Sequence, residues 1–65
     1  MLTQREQEIL TLVYEGSSSR EIATRLFISE HTVKTHLKNM RNKWKVTNRV
    51  KMIRTAIQYG LVGNP

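Results

Sequence analysis

Three hydroxyl side chains, Thr3, Ser18 and Ser29, mark where helices begin in this 65-residue chain. Thr3 and Ser18 each stand three positions ahead of a glutamate, Glu6 and Glu21. In such a pair the hydroxyl accepts the N–H of the third helical residue and the carboxylate accepts the N–H of the capping residue. Two donors that a helix start would leave orphaned are thereby satisfied together. No run of β-branched or aromatic residues alternates with polar ones, so strands have no comparable signal. The first cap opens a helix over about residues 4–15, with Ile9, Leu10 and Val13 as its apolar stripe and Gly16 as its stop. The second opens a helix over about 19–26, with Ile22, Ala23 and Leu26 inward. Phe27-Ile28 breaks the period, and Ser29 caps a third helix over about 30–43. Thr47 or Asn48 caps a fourth, about 48–59, ended by Gly60.

The expected fold is therefore all-α: a compact four-helix domain occupying 1–65, with a short helix, a tight turn and a longer helix at its centre. That is the helix-turn-helix layout. In helix three, Val33, Leu37, Met40 and Trp44 follow i, i+4, i+7 and i+11 and define the buried face. His31, Thr35, Lys38 and Asn42 fall nearly opposite, flanked by Lys34, Arg41 and Lys45. His36 lies on the flank of the apolar face and reads as a packed, structural histidine. In helix four, Val50, Ile53 and Ile57 are spaced i, i+3, i+7; they either complete the core, with Ala56, Tyr59 and Leu61, or form a second contact surface.

Charge is sorted along the chain. Residues 1–30 hold all five carboxylates against three Lys/Arg, and residues 31–65 hold eight Lys/Arg and no acid. The halves carry −2 and +8 of the net +6, so the second half reads as a surface for a polyanion. Other classes are excluded. With no Cys there is neither disulfide nor thiolate metal site, and two His without neighbouring carboxylates make a zinc site improbable. No catalytic pairing or phosphate loop is present, so no enzyme and no cofactor is expected. No apolar run approaches a membrane span of about 20 residues, and no signal-peptide pattern occurs, which points to the cytoplasm.

The chain resembles the LuxR/FixJ-type DNA-binding domain of bacterial transcription regulators over nearly its whole length. The resemblance rests on Leu2-Thr3-x-Arg5-Glu6-x-Glu8-Ile9-Leu10 and Gly16-x-Ser18-x-Arg20-Glu21-Ile22-Ala23-x-x-Leu26. It continues through Ile28-Ser29-x-x-Thr32-Val33-Lys34-x-His36-x-x-Asn39-Met40-x-x-Lys43, then Val46-x-x-Arg49 and Gly60-Leu61-Val62. It implies helix three in the major groove, with Lys34, Thr35 and Lys38 at base-reaching positions, and helix four as the dimer contact. Trp44 stands where the family usually has Leu, Lys45 where Gly is frequent, and Met52 where Ala is common.

The residues themselves fit that implication. Lysine donates to guanine O6 and N7, and the Thr35 methyl can meet a thymine methyl. His31, on the same face at the first turn, is a further candidate base contact. Arg41, Lys43, Asn48 and Arg49 suit the phosphate backbone. Thr32 offers its hydroxyl either to a phosphate or to a local backbone group. Ser17 and Ser18 stand where the start of helix two meets a phosphate, although capping alone explains Ser18. Val50, Ile53 and Ile57 are the candidate dimer contacts, giving a homodimer that is weak in isolation.

The expected function is sequence-specific binding of double-stranded DNA as a bacterial transcription regulator, in the cytoplasm and on the nucleoid, with RNA polymerase as a further candidate partner. A sigma-factor-like promoter-recognition domain is the nearest alternative; the fourth helix and the Gly60-Leu61-Val62 ending favour the LuxR type. A helical protein-interaction module is the other, and the basic outer face of helix three argues against it. A cationic membrane-active peptide fits poorly with the acidic first half. The family's domain normally ends a longer protein. Here the motif starts within two residues of Met1, as in either a stand-alone regulator or an excised domain. Gly63-Asn64-Pro65 reads as a frayed end.

Overall fold

A computed structural model describes residues 2–63. Met1, Asn64 and Pro65, and with them most of the expected frayed end, lie outside the described residues. Four helices follow in order, α1 (Gln4–Tyr14), α2 (Ser19–Leu26), α3 (Glu30–Trp44) and α4 (Arg49–Gln58), and no strand occurs among the described residues. α1 and α3 each pack against the other three helices, and α2 and α4 lie to either side.

Both capping boxes form. Thr3 Oγ1 accepts the Glu6 N–H at 3.1 Å while Glu6 Oε1 accepts the Thr3 N–H at 3.0 Å. At α2, Ser18 and Glu21 exchange the same two bonds at 3.1 and 2.7 Å. Ser29 Oγ accepts the Thr32 N–H to start α3, and Asn48 Oδ1 accepts the Lys51 N–H at 2.9 Å to start α4. Asn48, not Thr47, is thus the cap. α4 is one residue shorter at each end than the expected 48–59, because Asn48 and Tyr59 are its cap residues. Glu15 caps α1, and α3 runs one residue past 43, through Trp44.

The helix ends follow one scheme. Gly16 takes φ +98° and donates to Val13 O while Ser17 donates to Leu12 O, the paired bonds of a Schellman turn. After α3 the same pattern recurs with a lysine: Lys45, at φ 55°, donates to Asn42 O, and Val46 donates to Arg41 O. Phe27 likewise takes φ 57° after α2, with its side chain 93% exposed. The turn after α3 therefore keeps its left-handed shape although Lys45 replaces glycine, at a cost of roughly 1–2 kcal/mol from Cβ crowding. Gly63 sits close to α1, where a Cβ would stand 2.9 Å from the Tyr14 hydroxyl oxygen.

The core gathers Ile9, Leu10, Ile22, Val33, Leu37, Met40 and Met52, all with essentially no exposure. Each such large side chain contributes about 1.5–3 kcal/mol by leaving water. Ala56 is also fully buried, whereas Trp44, Leu26, Ile53 and Leu61 are half-buried at the rim. The enlarged Trp44 ring meets Tyr59 edge-on with centroids 6.0 Å apart. On α4 the buried face is Met52 and Ala56; Val50, Ile57 and Tyr59 point to solvent, so they do not complete the core. Gln7 Nε2 donates to Leu61 O at 3.0 Å and ties the segment after α4 to α1.

One charged group is buried with the apolar ones. Glu6, only 3% exposed, accepts from Lys43 Nζ at 2.7 Å as well as from Thr3. Burial pushes its carboxyl upward, but the Lys43 and Thr3 bonds outweigh that and hold it below its ordinary value of about 4.5. A lowered folded-state value means this stabilisation is complete above about pH 4.5 and is lost as the pH falls through the lowered value. Lys43→Met should cost about 1–3 kcal/mol by stranding the carboxylate, and should shift acid unfolding to higher pH. Chemical denaturation from pH 7 to 3 checks both. Lys45→Gly should raise stability by about 1 kcal/mol in the same assay, since glycine takes positive φ without Cβ strain.

Candidate nucleic-acid interface

The apolar pattern that buries Val33, Leu37 and Met40 turns the opposite side of α3 to solvent. His31, Lys34, Thr35, Lys38 and Asn42 are all exposed there, and Arg41 is half-buried at the flank. Fifteen residues give α3 a length of about 22 Å at 1.5 Å per residue, and a bare helix fits a major groove about 12 Å wide. The helix is held from behind by α1 and α2 and capped at its leading end by Ser29.

The polar atoms on this face are partly committed. Thr35 Oγ1 donates to His31 O at 3.0 Å, so its hydroxyl proton is spent while its oxygen can still accept. Lys34 Nζ lies 3.2 Å from Glu30 Oε2, one turn toward the leading end, with both side chains well exposed. Thr32 is half-buried, and its hydroxyl stands 2.8 Å from the Ser29 hydroxyl, a local side-chain bond rather than the expected backbone one.

Around α3 lie the candidate anchors. Asn48 uses Oδ1 for its cap, which leaves the amide –NH₂ facing solvent. Arg49 reaches back from the start of α4, and its Nη2 donates to Ser19 Oγ at 3.1 Å, bridging to the first residue of α2. Ser17 is half-buried with its N–H spent on Leu12 O. Ser18 is occupied by its capping box, whose bonds to Glu21 hold that carboxyl below its ordinary value. Lys43 stands apart from these: its ammonium is bound by the buried Glu6 carboxylate.

The fold thus brings His31, Lys34, Thr35 and Lys38 onto one face and joins Arg49 to the start of α2. It pairs Lys43 with the buried Glu6 of α1, although the Lys43 side chain stays 40% exposed. Ser19 and Glu30 were not among the sequence candidates. Glu30 was open to detection, because it stands four residues ahead of Lys34 on one helix. The Ser19–Arg49 contact spans thirty residues and had no local signal. Among the described residues no group of three His, Cys, Asp or Glu is placed to hold a metal ion, and no helix is long and apolar enough to cross a membrane.

Comparison with known proteins gives a consistent result. The family model for "Bacterial regulatory proteins, luxR family" (GerE) matches residues 1–56. The uncharacterized transcriptional regulatory protein YhcZ of Bacillus subtilis (strain 168) is 47% identical over 62 residues, covering 95% of this chain and 29% of that protein. The CsgBAC operon transcriptional regulatory protein of Escherichia coli (strain K12) is 52% identical over 56 residues, 86% of this chain and 26% of that protein. Among solved structures, the transcription factor GerE superposes with a TM-score of 0.92 at 35% identity, covering 95% of this chain and 92% of that one. The response regulator ChrA of a heme-sensing two component system gives 0.90 at 47% identity, over 95% of this chain and 31% of that one. The chain spans under a third of the length of these two curated relatives and matches nearly all of GerE.

Proposed function

We propose, from the premise that this chain belongs to the luxR family of bacterial regulatory proteins, that its basic half docks on double-stranded DNA and α3 reads base edges in the major groove. The family is one of DNA-binding transcription regulators rather than enzymes, and the chain is a LuxR-type DNA-binding domain. The observation that carries the reading mechanism is the two-sidedness of α3: Val33, Leu37 and Met40 are buried while His31, Lys34, Thr35 and Lys38 are exposed opposite them.

Lys34 and Lys38 supply donors for guanine O6 and N7. Thr35 offers its methyl to thymine, consistent with a hydroxyl proton already given to His31 O. His31 contacts a base at the leading end. Arg49, held by Ser19, and the Asn48 amide grip phosphates, with Arg41 on the flank and Ser17 and Thr32 as weaker contacts. Lys43 braces the scaffold through its bond to Glu6 and, with its side chain 40% exposed, also adds positive charge toward the phosphates.

Two copies then bind two half-sites. Val50 is 67% exposed and Ile57 48% exposed, one above the other on α4 with half-buried Ile53 between them. Such a stripe on a small surface suits self-association, weak alone and completed on DNA. In the cell the domain works in the cytoplasm on the nucleoid, and RNA polymerase is a candidate second partner.

Selection of bound sequences from a random duplex pool tests the reading directly. A palindromic motif is expected, and salt-sensitive binding with no motif would sink base readout. Lys38→Ala should cost about 1–3 kcal/mol on the selected site and relax one base position. Arg49→Ala should weaken all duplexes alike and flatten the log-affinity against log-salt slope by about 0.9. Ile57→Glu should leave half-site binding intact while removing cooperative binding to the palindrome in a gel-shift titration.

A further inference from the structure

Residue 30 is the last carboxylate in the chain, and it sits at the first position of the helix that carries the reading face. Every other charged side chain from there to Pro65 is cationic. An exposed acid at that point opposes the approach of phosphates. Its Oε2 lies 3.2 Å from Lys34 Nζ, in the i,i+4 order in which glutamate precedes lysine. We propose that Glu30 is a specificity-determining residue: it holds the Lys34 ammonium so that Lys34 discriminates base edges from phosphates. The inference rests on the DNA-reading function of α3.

The argument is one of donor geometry. An ammonium has three N–H donors and no acceptor. With one on Glu30, two remain, and a guanine edge offers two acceptors, O6 and N7. Glu30 and guanine can therefore be satisfied at once. On a sequence without that guanine, adenine N7 or thymine O4 offers a single acceptor where guanine offers two, so phosphate oxygens compete better for Lys34. Moving there either breaks the pair with Glu30 or brings a carboxylate against a phosphate. Both raise the free energy of the non-specific complex more than that of the specific one. Discrimination achieved by penalising the wrong partner is still discrimination.

The test compares the parent domain with Glu30→Gln on its selected duplex and on random duplex, across a salt series, with helicity measured to confirm that both are folded. The amide keeps the side chain's size and removes its charge. Affinity for random duplex should rise about two- to fivefold, the range set by an exposed ion pair of this kind. The salt slope on random duplex should steepen by up to about 0.9, as one more ammonium becomes free to neutralise a phosphate. Affinity for the selected site should change by less, so the ratio of specific to non-specific binding falls. In a Lys34→Met background the same substitution should leave that ratio unchanged. An equal gain on both duplexes, or an undiminished loss of ratio in the Lys34→Met background, would overturn the proposal by reducing Glu30 to bulk repulsion. A parent domain that selects no motif would instead overturn base readout itself, and this inference with it.

Discussion

The arrangement of helices depends on a single buried carboxylate. Apolar burial drives collapse but is non-directional, so it leaves the register of one helix on another loosely set. Glu6 adds direction. One oxygen closes the start of α1 through the Thr3 N–H, and the same group binds Lys43 near the far end of α3 at 2.7 Å. Charge-assisted bonds of this length tolerate little displacement. Because α1 and α3 each touch all the other helices, setting one against the other fixes the platform on which α2 and α4 are mounted. The acidic first half of the chain is thus a structural complement to the basic second half. One of its carboxylates clamps the frame, another closes the start of α2, and Glu30 stands among the exposed cations of α3.

Local signals were legible wherever a residue acts on its own helix. The Thr3–Glu6 and Ser18–Glu21 boxes, the Ser29 cap and the i, i+4, i+7 stripe of α3 are short-range patterns, and all four helices lie within a residue of where those patterns put them. The exposed set on α3 follows from the same periodicity. What the sequence could not show depends on contacts between helices. Lys43 and Lys38 look alike as isolated cations on α3, and only the approach of α1 gives one of them a buried carboxylate as partner. The division of α4 was equally hidden, since Val50, Met52, Ile53, Ala56 and Ile57 are all apolar. Which of them are buried depends on the side from which α3 and α1 reach the helix.

The relatives show how a small domain of this kind is used. GerE is matched almost end to end, whereas YhcZ and the CsgBAC operon regulator are more than three times as long as the matched region. The same four helices therefore occur both nearly alone and as a fraction of larger chains. A frame secured by its own capping boxes, Schellman turns and one cross-helix ion pair suits both settings. None of these elements borrows an atom from outside the domain.

Trp44 is the one tryptophan in the chain, half-buried where α3 ends and packed edge-on against Tyr59 at the close of α4. That ring straddles the joint between the helix with the exposed basic face and the helix with the exposed apolar stripe. Its ultraviolet emission comes from that joint alone, so the domain carries an intrinsic optical probe of how the two helices sit together. Fluorescence can therefore follow that joint in solution, without a label and without altering a residue on either surface.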